Sequence, residues 1–343
     1  MTVNTELEDR LLDVLRARTG RQDLSYAGPL LPLTGGFWAE LVAFSLTDPP
    51  PGWPAELVAR VMPDAFSARK ETIVQAAVAA AGFPTPAVRA AGGPDDGLGR
   101  AFMVMDRADG APLLSGMTGV GAIVTAVRTA GQLPEVLASS MARLHAIDPQ
   151  PIRDQLDCEG DGAPDTVDGL IRLVERAVAG FQRADLAEAA RWLLEHTPPP
   201  AQDIVCHGDL HPFNLLVSDG QITVLDWSNC MLGPRAHDVA FTSLMLGEPP
   251  IVLPGPLRPL LRGIGRLLAR RFVRRYEAHA SVTVAPDEIA WHQAVVCLRA
   301  LAEVASWVAD DTVAKHAGHP WLVIGQPAAA RLSAVTGVHV RPL

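Results

Sequence analysis

The chain has 343 residues, enough for one large or two medium domains with ample core, and its 48% hydrophobic and 20% charged content is that of a globular protein. A formal net charge of −9 argues against a general nucleic-acid binder. No run of 18 or more uncharged apolar residues is present, which argues against a membrane-spanning helix.

The first stretch, MTVNTELEDRLLDVL, is acidic with helical periodicity and does not read as a secretory leader. Leu7, Leu11, Leu12 and Leu15 share one face of a helix over residues 6–19. Four scattered cysteines, Cys158, Cys206, Cys230 and Cys297, form no C-x-x-C and read as reduced thiols of a cytoplasmic protein. Two short strand-like runs flank Thr34-Gly35-Gly36-Phe37, a turn whose glycines let backbone N–H groups approach a ligand closely. Residues 56–62, ELVARVM, read as the next strand. Residues 67–81 read as a helix burying Ile73, Ala77 and Ala80, and Phe83-Pro84-Thr85-Pro86 stops it. A strand at 87–90 and a polar hairpin loop lead to the buried strand AFMVM at 101–105. Residues 133–147 are helical and end in L-H-A-I-D-P, with His145 expected to be packed and hydrogen-bonded.

Residues 157–168, DCEGDGAPDTVD, imitate a calcium-binding loop, with acids at the first, third, fifth and twelfth positions and glycine at the sixth. The third acid is Glu, the twelfth is Asp, and Pro164 falls where a short strand pairing is needed, so a solvated acidic loop is the better reading. Such a loop would also suit a cationic amine substrate. Helices are expected over 170–196, and a long amphipathic helix over 288–308. Arg258, Arg262, Arg266, Arg270 and Arg274 recur every four residues, which gives a spiral of charge on a solvated helix. An anionic substrate or partner is the minority reading of that helix. From residue 310 onward the pattern gives only a tail with apolar segments.

The most informative stretch is residues 204–229, IVCHGDLHPFNLLVSDGQITVLDWSN. It reads as strand, loop, strand, turn, strand, with Ser218-Asp219-Gly220-Gln221 as the turn. Asp209, Asn214 and Asp226 stand at the strand ends. Phosphoryl transfer needs one carboxylate to orient an attacking hydroxyl and accept its proton, and hard oxygen ligands to hold Mg²⁺ on the nucleotide phosphates. An Asp, an Asn five residues on, and a second Asp after the next strand supply these parts in the order of kinase catalytic loops. His207, Asp209 and His211 also suggest a zinc cluster, but a zinc-dependent hydrolase leaves Asn214 and Asp226 unused.

H-G-D-L-H-P-F-N, then L-D-W, then G-P-R-A-H-D-V-A at 233–240 resemble the aminoglycoside phosphotransferase (phosphotransferase enzyme) family of kinase-like proteins. The resemblance implies an α+β, bilobal protein-kinase-like fold. It places an N-lobe of antiparallel sheet plus helix at 1–106. A larger, mostly helical C-lobe at 107–343 carries the catalytic hairpin, and a nucleotide binds in the cleft. It makes Asp209 the catalytic residue and Asn214 and Asp226 the metal ligands. It assigns Gly35, Gly36, Phe37, Arg60, Glu71, Met103 and Met105 to the nucleotide. Arg60 stands where kinases carry a lysine, Glu71 pairs with it, backbone near Met105 meets the adenine edge, and Met103 guards the back of the pocket. The implied reaction moves the γ-phosphoryl group of ATP or GTP, with Mg²⁺, to a hydroxyl of a small molecule, in a monomer or homodimer. Because Arg60 replaces the lysine, a non-catalytic nucleotide-binding regulator is the alternative. Asp238 is expected to cap the helix that follows and to brace the catalytic loop.

Overall fold

In the computed structural model, residues 5–33, 39–113, 120–157, 166–250 and 258–342 are described. The Gly35–Gly36–Phe37 turn and most of the acidic loop, 158–165, lie outside them. In chain order the N-terminal elements are α1 (Thr5–Thr19), β1 (Leu31–Leu33), β2 (Glu40–Ser45), β3 (Glu56–Met62), α2 (Ala65–Ala80), β4 (Val88–Gly92), β5 (Ala101–Asp106) and β6 (Ala111–Pro112). There follow α3 (Val120–His145), α4 (Gln150–Asp157), α5 (Val167–Ala179), α6 (Ala184–Glu195), β7 (Asp203–Cys206), β8 (Leu215–Ser218), β9 (Gln221–Val224) and β10 (Met231–Pro234). The chain ends in α7 (Arg235–Gly247), α8 (Arg258–Ala280), α9 (Pro286–Ala309) and α10 (Pro320–Thr336).

The chain divides into two units. The first comprises Met1–Leu113, Gln150–Ala163 and Asn214–Cys230. Its centre is a five-stranded antiparallel sheet in the order β1-β2-β3-β5-β4. Central β3 is buried from Leu57 to Met62, which is why its sequence is nearly continuous apolar rather than alternating. Leu7, Leu11, Val14 and Leu15 of α1 join Leu24, Phe44, Leu57 and Phe102 in one apolar cluster of this unit. Asp64 caps α2 by accepting from the Phe66 and Ser67 amides.

The buried face of α2 is Ala68, Glu71, Val74, Gln75 and Val78, and not the expected Ile73, Ala77 and Ala80. Apolar spacing misjudged this helix because two polar side chains turn inward to meet partners. Gln75 Nε2 donates to the Pro86 carbonyl at 2.9 Å, and Glu71 meets Arg60. β8 and β9 form the expected hairpin, with Asp219 and Gly220 both at positive φ (49° and 77°), the tight turn that a twisted two-strand ribbon favours. β6 adds to its edge by pairing with β8.

The second unit comprises Leu114–Pro149, Pro164–Phe213 and Met231–Leu343. α9 runs through its centre with fourteen buried residues, from Trp291 to Trp307, and shares one apolar cluster with α5, α6, α7 and α10. The segment expected to be a tail folds as α10. His319 caps it by accepting from the Trp321 amide, Pro320 starts it, and Gly337 ends it at φ +73°. β7 pairs antiparallel with β10. The arginine-rich α8 is tied down on its exposed side: Arg262 and Arg266 reach Glu248, while Arg275 and His279 reach Glu135. No helix among the described residues is long and apolar enough to cross a membrane.

Gly265 is where α8 meets the end of α7. A Cβ there would collide with the Leu246 carbonyl oxygen and lie 3.1 Å from that of Gly247. Alanine in a helix interior gains about 1 kcal/mol over glycine. Forcing a methyl group against fixed backbone costs about 1–3 kcal/mol. The Gly265→Ala variant is therefore expected to be less stable than wild type in chemical denaturation. A variant as stable as wild type would show that parting the two helices costs no more than the roughly 1 kcal/mol that alanine gains in helix propensity.

Candidate functional site

In the second unit, the loop after β7 is held by the carboxylate of Asp238. Asp238 Oδ2 accepts the His207 amide at 2.7 Å, and Oδ1 accepts the Gly208 amide at 2.6 Å. His145 Nε2 lies 3.1 Å from Oδ2, and His145 Nδ1 lies 2.7 Å from the Tyr276 hydroxyl. Asp238 and His207 are fully buried, and His145 nearly so. Burial acts to raise the Asp238 pKa, but His145, His207 and the Gly208 amide together hold it below the usual carboxylate value. One turn later on the same face of α7, Thr242 Oγ1 donates to the Leu210 carbonyl at 2.7 Å. Residues 207–210 are thus pinned at both ends by an i, i+4 pair on one helix.

Asp238 does not cap α7. The cap position is Pro234, with no side-chain bond, and the Asp238 carboxylate is taken up by the loop amides and His145. The Asp238–Thr242 spacing was visible in the sequence, but a D-x-x-x-T pair in an apolar helix carries no sign of which loop it faces. Asp209, next in the chain, approaches His211 (Oδ1 to Nε2, 3.4 Å), while its amide faces His207 Nδ1 at 3.3 Å. His207 Nδ1 is thus engaged by the loop's own backbone, which does not favour the zinc reading. Among the described residues the donor atoms that do converge, within 4.8 Å, are those of His145, Cys206 and Asp238. Their hydrogen bonds account for that cluster: the Cys206 thiol donates to the Gly233 and Pro234 carbonyls, and burial pushes its pKa well up.

In the first unit, Arg60, Glu71 and Asp226 come together. Arg60 is almost fully buried on β3, with its Nε 3.0 Å from Glu71 Oε1 and its Nη2 3.1 Å from Asp226 Oδ1. The Glu71 contact is ionic rather than a well-aligned hydrogen bond, whereas that to Asp226 is aligned. Asn214 ends a single turn of 3-10 helix (Pro212–Asn214), and its carbonyl accepts the Leu225 amide at 2.9 Å, which fixes Asn214 beside the residue that precedes Asp226. Asp226 adopts φ +62°, uncommon for a residue with a side chain, and Oδ1 also accepts the Ser228 amide.

The strain at Asp226 is held by its neighbours. Val224 donates its amide to the Pro84 carbonyl, the Thr85 hydroxyl donates to the Val224 carbonyl, and Trp227 Nε1 donates to Thr85 Oγ1. Trp227 is fully buried, edge-on to Phe83. The F-P-T-P segment, read in sequence only as a helix stop, is therefore the clamp on β9. Met103 and Met105 lie on β5, paired with Arg60 and Val58 of β3. Met103 is fully buried and Met105 partly so, with its sulfur 3.4 Å from Gln75 Nε2. Gly35, Gly36 and Phe37 lie outside the described residues.

The α+β architecture, with its antiparallel sheet and helical remainder, is the kinase-like fold, and comparison with known proteins agrees. A protein of Ralstonia eutropha JMP134, described as a candidate aminoglycoside phosphotransferase, matches with 19% identity over 95% of this chain and 98% of its own, with a TM-score of 0.66. A thermostable mutant of aminoglycoside phosphotransferase APH(4)-Ia, in ternary complex with ADP and hygromycin B, matches with 21% identity over 96% and 98% and a TM-score of 0.57. A macrolide 2'-phosphotransferase type I matches with 18% identity over the whole of both chains and a TM-score of 0.55. Comparison with proteins of curated function yields no significant match. The profile of the phosphotransferase enzyme family matches residues 32–269, and the chain belongs to that family.

Two measurements follow from the two clusters. Asp238→Asn keeps the volume but sets an NH₂ against buried donors, so it should cost about 1–3 kcal/mol in chemical denaturation. It should also speed hydrogen exchange at the His207 and Gly208 amides. Unchanged exchange would show that the loop does not depend on this carboxylate.

Burial raises the Glu71 pKa from 4.5 to about 7, against the opposing pull of Arg60. A carboxyl raised on folding contributes stability that is fully present below about pH 4.5 and lost as pH rises through about 7. Between pH 5 and 7.5 wild type should therefore lose more stability than Glu71→Gln, which has no such titration. Parallel pH profiles of the two proteins would rule this out.

Proposed function

We propose that this chain transfers the γ-phosphoryl group of ATP or GTP to a hydroxyl of a small molecule. The observation that carries the reading is Arg60, buried on β3 and held between Glu71 and Asp226. An arginine fixed by a glutamate on the neighbouring helix retains a permanent positive charge with spare N–H donors, which suits the α- and β-phosphates of a nucleotide. The substitution of arginine for lysine alters the reach of the cation and keeps its charge. Family membership supports the reaction type. The nucleotide and antibiotic in the APH(4)-Ia complex belong to that protein and suggest the substrate class here.

In the proposed mechanism Asp209 orients the acceptor hydroxyl and takes its proton as the bond to phosphorus forms. Arg60 binds the departing diphosphate, and Met103 and Met105 line the purine side while the Gly35–Gly36–Phe37 turn covers the phosphates. Asn214 and Asp226 offer hard oxygen donors, one neutral and one anionic, which fit Mg²⁺ on a nucleotide. When bound, that ion neutralises phosphate charge.

Wild-type protein should melt higher with MgATP or MgGTP than with nucleotide plus EDTA. Asp226→Ala should lose that shift. Asp209→Asn should keep the shift while turnover of a phosphorylated acceptor falls by about 10²–10⁴. Full activity in either variant would overturn the assigned roles. A magnesium-dependent shift in wild type with no turnover across hydroxyl acceptors would favour a nucleotide-binding regulator instead.

A further inference from the structure

Within the second unit a cavity of about 470 Å³ opens between α8, α10 and the end of α7. Its volume falls in the range of small-molecule sites, roughly 300–1,000 Å³. Arg262, Arg266 and Arg331 line it together with Glu248, and Pro327, Ala330, Ala334 and Val335 add an apolar lining. It is separate from the Asp238 cluster, because Asp238 and Glu248 are about 15 Å apart along α7 by helix rise.

Three guanidinium groups and one carboxylate line the cavity. Glu248 is mostly buried and already shared: Arg262 Nε lies 2.9 Å from Oε2, and Arg266 Nη2 lies 3.9 Å from Oε1. The third arginine is fixed from behind. Arg331 Nη1 donates to Gln293 Oε1 at 2.7 Å, Gln293 Nε2 donates to Ser243 Oγ at 2.9 Å, and that hydroxyl donates to the Ala240 carbonyl at 3.1 Å. Gln293 and Ser243 are buried, so the relay runs through the core from α10 by way of α9 to α7. Each guanidinium has five N–H donors. Among the described residues Glu248 and Gln293 engage one nitrogen of each arginine, and all three arginines line the cavity.

From this arrangement we infer that the cavity binds a small organic phosphate monoester. The charge selects the ligand. Three arginines against one glutamate leave two positive charges, which match a phosphate monoester dianion better than a carboxylate, and the forked donors fit its oxygens. The volume selects against inorganic phosphate alone, which would leave the apolar lining uncovered. The site is independent of the proposed catalytic reading, since none of its residues is assigned a role there.

The test is isothermal titration calorimetry of the full chain with phenyl phosphate, benzoate and inorganic phosphate, without nucleotide or magnesium. Phenyl phosphate should bind, and at least tenfold more tightly than either of the others. Arg266→Gln and Arg331→Gln should each weaken it at least tenfold. Arg266 is two-thirds exposed, so its variant should fold. Glu248→Gln should tighten binding, by releasing Arg262 and Arg266. Asp226→Ala should leave binding unchanged, which separates this site from the proposed nucleotide site. The inference fails if benzoate binds equally well, if the arginine variants bind as wild type does, if Asp226→Ala abolishes binding, or if phenyl phosphate gives no heat at millimolar concentration.

Discussion

The arrangement of the loop after β7 depends on one buried carboxylate. Asp238 lies wholly inside the second unit, where an unpaired negative charge is prohibitively costly. It is tolerated because two backbone amides and one imidazole converge on it. The dependence runs both ways. Those amides belong to a turn that passes through Gly208 at φ +74°, just beyond Cys206, where the pairing of β7 with β10 ends. Removing either member would leave the other unsatisfied, so the loop and the helix fold as one piece. The Thr242 hydroxyl repeats the arrangement one turn later with a neutral donor.

The first unit solves a related problem with a cation. Arg60 is nearly buried on the central strand of the sheet, and two carboxylates approach it from α2 and from the end of β9. The pull is unequal: Glu71 is deeply buried and its pKa rises to about 7, whereas Asp226 is a third exposed. A lysine in place of Arg60 would present three donors from a compact ammonium and could not fork between two partners set at different angles.

Much of the architecture was legible in the sequence where one physical demand acted alone. β3 and α9 had apolar patterns strong enough to show through the polar residues they carry, and Asp219-Gly220 had turn chemistry with only one common outcome. The misreadings fall where polar partners distant in sequence set the register. The face of α2 is turned by Glu71 and Gln75 toward β3 and the Pro86 carbonyl, contacts that no local periodicity encodes. α10 was missed because Pro320, Gly325 and Pro327 obscure a helix that is held by packing on α9. In the candidate site the residue types and spacing pointed to Asp209, Asn214 and Asp226. The supports, Asp238 with Thr242 and the Thr85–Trp227 clamp, were legible as residues but not as contacts, because their partners lie up to 142 positions away.

The burial of α7 has an evolutionary consequence. From Ala236 to Gly247 every residue of this helix is buried, with Asp238 and Thr242 on the loop, Ser243 on Gln293, and Gly247 against α8. A helix engaged on all sides has no position at which a random mutation is neutral. Divergence among descendants of this sequence should therefore bypass α7 and accumulate at exposed positions and in the connecting segments. α7 would then act as an inherited frame while the periphery explores new chemistry.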